Sequence, residues 1–220
     1  MKKTTKNILI ISSIIASATI LFFVIKRSAR WKTFWKKAIY GVLAHEGGQS
    51  EYGGSGKKFT DLFALDGGTV GICHFAAGGL CGLYEEMNTK KYFNKTSEEM
   101  CDKWAYKNSG AYNQSWWREG MAKFLNNPNN NRIQINACQK ARQESVKNAI
   151  YNGWKTNRQL AIAVGVSNSF GNQGFLDKAT NQNWDAEKLL NWYGNISAHK
   201  ERRKNLINKW FPKNKERNIV

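Results

Sequence analysis

Histidine is scarce in this 220-residue chain, with three in all, and no Cys-x-x-Cys pair occurs. Together these absences exclude the usual zinc-site spacings. Acidic residues are also few: 16 Asp and Glu stand against 34 Lys and Arg, a formal net charge of +18 and a pI near 9.8. That imbalance disfavours a cationic substrate, which the protein would repel. No internal repeat is visible. No recognised nucleic-acid-binding motif occurs, so nucleic acid is not the expected partner. What the sequence holds instead is aromatic. Phe, Trp and Tyr make up 13% of it, with nine tryptophans, which is not a disordered composition. The length suits one globular domain with a sizeable core. The charge suits an anionic membrane surface or an acidic wall polymer, or is simply a solvated Lys- and Asn-rich surface.

Four cysteines stand at Cys73, Cys81, Cys101 and Cys138. The even count allows one or two disulfides in an exported domain. Burial as small hydrophobes is the equal alternative. Ile8–Ile25 is an 18-residue run without a charge, flanked by lysines and arginines. At about 1.5 Å per residue it just spans a hydrocarbon core of roughly 30 Å. Residues 1–29 therefore read as an N-terminal transmembrane or signal-anchor segment, and 30–220 as the folded domain. Ala16-Ser17-Ala18 resembles a cleavage site, yet the apolar run continues past it. More cations follow the run than precede it. By the positive-inside rule, that count keeps the domain in the cytoplasm.

The rest of the chain reads as mostly α-helical with one small β-hairpin near its start. Trp31, Phe34, Trp35, Ala38, Ile39, Val42 and Leu43 lie on one helical stripe, which predicts a helix over Arg30–Glu46, ended by Gly47-Gly48. Phe59–Leu65 and Thr69–Phe75 read as strands joined by an Asp66-Gly67-Gly68 turn. Gly78–Gly82 reads as a loop. Helices follow. Thr96 with Glu99 and Thr156 with Gln159 form capping boxes. Gln134–Tyr151 is a helix. Leu160–Val166 is apolar on every side, the mark of a buried central helix, in which Gly165 permits close packing. Asp185 caps a helix ending at Gly194. A final helix over Ser197–Phe211 carries Lys200, Arg202, Arg203 and Lys204 on a face expected to be solvated.

Two acid–Gly–Gly units, Glu46–Gly48 and Asp66–Gly68, begin twenty residues apart. Inverting glycosidic hydrolysis needs two carboxyl groups about 6.5–9.5 Å apart, one protonated and one ionised. A carboxyl at a helix end among apolar side chains is partly desolvated, which suits the acid. A carboxylate in an exposed turn stays ionised, which suits the base. Glu46 and Asp66 match these environments, and Thr69 just after the turn can hold the water. Glu51 and Asp61 compete for the same roles. His45 and His74 read as structural, and Ser115–Trp117 offers rings that could stack on sugars or simply pack in the core.

This arrangement resembles the lysozyme-like superfamily: phage lysozymes, "EGG" peptidoglycan hydrolases and family 46 chitosanases. The resemblance rests on "EGG" at Glu46–Gly48, "DGGTVGI" at Asp66–Ile72, "AIAVGVSNSFGNQGF" at Ala161–Phe175 and "ERRKNL" at Glu201–Leu206. It covers roughly residues 45–210. Only two residues separate Asp66 from Thr69, a shorter turn than in those families. The resemblance implies Glu46 as general acid, Asp66 as general base and Thr69 as water positioner. Gly68, Asn168 and Gln173 are the expected substrate contacts, with Trp116 as the ring that could stack on a sugar, and no metal or cofactor is expected. The implied partner is peptidoglycan or a related amino-sugar polymer, which places the domain outside the cytoplasm, against the cation count. Chitosan, a polycation, fits the charge less well. Lytic transglycosylation by Glu46 alone, or polymer binding without catalysis, are the alternatives.

Overall fold

The computed structural model describes residues 29–43, 59–64, 68–76, 78–106 and 108–220. Helix α1 covers residues 29–43, and its last six, Ala38–Leu43, wind as a π-helix. Its predicted stripe is real: Phe34, Ala38, Ile39, Val42 and Leu43 are buried. The hairpin follows as β1 (Leu62–Phe63) and β2 (Thr69–Val70), paired antiparallel with Phe63 opposite Thr69. Both strands are shorter than the apolar runs predicted. After Val70 the chain folds back on itself instead of extending. Val70 and Phe75 exchange backbone hydrogen bonds across a turn that holds Gly71 at φ +69° and His74 at φ +46°.

Helices α2 (Gly78–Glu86), α3 (Thr89–Phe93), α4 (Ser97–Trp104) and α5 (Ser115–Leu125) follow. The glycine-rich start of α2 is helix, not the predicted loop. Leu80, Leu83 and Tyr84 bury one face of it, while side chains at Gly79 and Gly82 would meet open space. Burial of that face outweighs the roughly 1 kcal/mol that each glycine costs in a helix. The Cys81–Cys101 disulfide ties α2 to α4.

Helix α6 (Asn131–Tyr151) and α7 (Asn157–Leu176) form the centre. The Thr156–Gln159 capping box opens α7 with both reciprocal bonds, at 3.1 and 3.2 Å. Leu160–Val166 is buried throughout, as its all-round apolarity predicts. Helix α8 (Ala186–Gly194) is capped by Asp185, whose carboxylate accepts from the Lys188 amide, and α9 (Ala198–Trp210) is capped by Ser197. A Cβ on Gly165 would stand 2.8 Å from Ile207 Cδ1, so this glycine sets how closely α7 and α9 approach. The early turns of α9 depart from expectation. Arg203 is 1% exposed and turns inward instead of joining a solvated face.

One connected core runs from Phe34 to Ile219. Among the described residues, the mostly helical class with one small hairpin is as the pattern predicts. No helix among the described residues is long and apolar enough to cross a membrane. The candidate span Ile8–Ile25 lies outside them.

Candidate active site

The hairpin is too small to hold itself. An isolated two-stranded ribbon is marginal in water, and this one pairs two residues with two. Helix α6 fixes it by two devices one helical turn apart. The buried Gln134 side chain accepts a hydrogen bond from Ile72 N at 3.1 Å and donates to Phe59 O at 3.0 Å. Four residues on, Cys138 is bonded to Cys73 in the turn that follows β2. Gly71 is required for the first device. A Cβ there would lie 2.1 Å from Gln134 Oε1, and the left-handed backbone adds its own strain.

Of the predicted catalytic residues, Glu46 and Asp66 lie outside the described residues, as do the competitor Glu51 and His45. Thr69 is described. It sits in β2, 4% exposed, directly opposite Phe63. Gly68 adjoins it at φ +134°, where a Cβ would come within 2.7 Å of the Trp117 ring. Its glycine identity is thus explained by packing against α5. Asp61, the remaining competitor, holds the base of the hairpin. Its carbonyl accepts from Gly71 N at 2.8 Å, and its carboxylate lies 3.6 Å from His74 Nε2. His74 is structural in the sense predicted, a half-buried residue in a left-handed turn.

Helix α6 also holds α7. Asn168 Oδ1 accepts from Arg142 Nη2 of α6. Burial pushes the Arg142 guanidinium down to about 10, which leaves it charged at neutral pH. Past Asn168, α7 breaks at Gly171 (φ 69°, ψ 179°) and resumes through the backbone of Gln173 to Leu176. Arg203 braces this stretch from α9, donating from Nη1 to Gly165 O and Ser169 Oγ, each at 2.9 Å. Ser169 Oγ in turn meets the Tyr193 hydroxyl at 2.8 Å. Burial lowers Arg203 to about 9 and raises Tyr193 to about 12, so Arg203 is charged and Tyr193 neutral at pH 7.

Gln134, Cys138 and Arg142 follow at four-residue intervals and so share one side of α6. Eight residues of helix span about 12 Å. Along that length α6 holds the hairpin at one end and Asn168 at the other. Neither Gln134 nor Arg142 was among the predicted site residues. The regular spacing with Cys138 was the signal that could have found them.

Trp116 is placed differently. It is half-buried in an edge-to-face lattice with Trp104 and Phe93, and the Lys95 ammonium lies 5.4 Å over its ring. Its neighbour Trp117 is the one that meets Gly68. The chain matches no known family model, no curated protein and no solved structure. The site is therefore read from its own chemistry. Among the described residues, the one His/Cys/Asp/Glu cluster tight enough for a metal is Cys81, Glu85 and Cys101. Both of its sulfurs are taken up in a disulfide, so it offers no thiolate ligand.

Proposed function

We propose that this chain is a membrane-anchored or exported glycoside hydrolase that cleaves the glycan backbone of peptidoglycan with inversion. Glu46 is the general acid, Asp66 the general base, and Thr69 holds the attacking water. The observation that carries the reading is the fixing of the hairpin. A buried glutamine and a disulfide clamp a ribbon of four paired residues onto α6. The same clamp secures the core residues Val70, Ile72, Cys73 and Phe75, and catalytic geometry requires such rigidity, because a displacement of about 1 Å can cost a hundredfold in rate. The clamped positions, Phe59 and Ile72–Cys73, flank the stretch of sequence that carries Asp66.

Three further features agree. The last described turn of the helix leading toward Glu46 is π-helical, a form frequent at functional sites. Two disulfides suit an oxidising compartment outside the cytoplasm. The net charge of +18 attracts a polymer bearing peptide carboxylates.

The test uses purified peptidoglycan with wild type, Glu46→Gln and Asp66→Asn. Hydrolysis predicts new reducing ends from the wild type and loss of release, by about a hundredfold or more, in both folded variants. Loss in Glu46→Gln alone, with anhydro-sugar products, would instead mean transglycosylation. Absence of release from peptidoglycan, chitin and chitosan by folded wild type would leave a polymer-binding domain.

A further inference from the structure

Away from the hairpin, α1 and α6 leave an open groove of about 690 Å³ between them. Its floor is apolar: Trp31, Tyr40, Ile135 and Ile150 line it and stay half-buried. Its rim is cationic. Lys32, Lys36 and Lys147 border it, all exposed, and the lining contains no acidic residue. Gln143 also lines it.

Three observations bear on what covers this groove. The lining pairs indole and phenol rings with ammonium groups, the combination that settles at the headgroup level of a bilayer. Lys32, Lys36 and Lys147 favour an anionic surface over a neutral one, although Lys147 also lies 3.4 Å from Glu144. The third is position along the chain. The charge-free run Ile8–Ile25 ends four residues before Ala29, the first described residue of α1, and the intervening sequence includes Lys26 and Arg27. A segment suited to entering a bilayer is thus joined by a very short stretch to the helix that forms one wall of the groove.

We infer that this groove is a membrane-docking surface, seated against the headgroups of an anionic phospholipid bilayer. The tether determines that the chain is at the membrane, and the groove determines how the domain sits on it. Trp31 and Tyr40 enter the interface and the three lysines contact lipid phosphates. Without the groove the domain would tumble on its tether. With it, the domain keeps one orientation relative to the bilayer. The inference is independent of glycosidase activity.

The test uses the full chain with Gln143→Cys carrying an environment-sensitive fluorophore. The four native cysteines are bonded in two disulfides and do not compete for the label. The protein is reconstituted into vesicles of phosphatidylglycerol and phosphatidylcholine, or of phosphatidylcholine alone. Docking predicts a blue-shifted probe quenched by brominated lipid in the anionic vesicles, and a probe in water in the neutral ones. The triple variant Lys32→Gln, Lys36→Gln, Lys147→Gln should shift the docking equilibrium by about a hundredfold, at about fivefold per lysine. It should still sediment with vesicles through its tether. A probe equally exposed to water in both vesicle types overturns the inference. So does a probe already buried without lipid, which would mean that the groove holds another part of this chain or a second copy.

Discussion

Replacing Gln134 by leucine tests the clamp on the hairpin directly. Leucine is close in volume to glutamine and leaves the helix propensity of α6 almost unchanged, so the loss is confined to the amide. Two hydrogen bonds disappear, one from Ile72 N and one to Phe59 O. Ile72 N lies in buried chain, and an unsatisfied buried donor costs about 1–3 kcal/mol. The Phe59 carbonyl belongs to a half-buried residue and can turn to water, so its share is near the lower end. The expected sum is about 3 kcal/mol. For a domain of this size each kcal/mol moves the midpoint by about 2–4 °C, so Tm should fall by about 6–12 °C. Scanning calorimetry with the disulfides intact measures this. A wall-cleavage assay at 20 °C, well below the transition, then reads the second consequence. Activity should fall further than the unfolded fraction accounts for, because the ribbon is released while the core remains. A fall in Tm of less than 2 °C would refute the claim that Gln134 holds the hairpin.

The two disulfides should differ in effect. Their sequence separations are 65 and 20 residues, and loop-closure entropy gives about 4 kcal/mol for Cys73–Cys138 and about 3 kcal/mol for Cys81–Cys101; paired Cys→Ser variants compared by urea unfolding should preserve that order. Gly165→Ala should destabilise by about 1 kcal/mol, because the clash with Ile207 Cδ1 exceeds the gain in helix propensity. Adding Ile207→Val removes the clashing carbon, so a double-mutant cycle should show positive coupling between the two sites. Glu187 is held below its ordinary value of 4.5, chiefly by hydrogen bonds from the buried Arg158. Its folded value is depressed, so its contribution is complete above 4.5 and is lost as pH falls through the folded value. The stability gap between wild type and Glu187→Gln should therefore be wide at pH 7 and narrow toward pH 3; an unchanged gap would show that the pair is not linked to folding.

Much of the fold was legible because it rests on local signals. The capping residues Thr96, Thr156, Asp185 and Ser197 each satisfy an amide two or three positions away, so a short window of sequence contains the whole interaction. Leu160–Val166 announces burial by lacking a polar side. The errors fall where distant partners decide. Gly78–Gly82 has loop composition, yet its helix is stabilised by a core and a cystine supplied from elsewhere. Arg203 resembles its charged neighbours and gives no sign that Gly165 and Ser169, more than thirty residues away, will receive it. The hairpin was legible as a turn but not as a clamped object, because Gln134 lies 62 residues from the amide it binds. Of the candidate site, Glu46 and Asp66 came from local motifs, while Gln134 and Arg142 of α6 went unpredicted because their partners lie far along the chain.

The separation between Cys73 and Cys138 also has a consequence in time. A ribosome adds about 5–20 residues per second. Cys81 emerges eight residues after Cys73 and Cys101 twenty residues after that, while Cys138 follows Cys73 by 65. Cys73 thus waits about 3–13 s for its partner, with two wrong thiols already beside it. A chain translocated as it is made meets oxidant with the native choice not yet available. Mispaired Cys73–Cys81 or Cys73–Cys101 then competes with the native Cys81–Cys101 pair, and thiol–disulfide exchange corrects it. The clamp on the hairpin therefore closes only after Cys138 has been made.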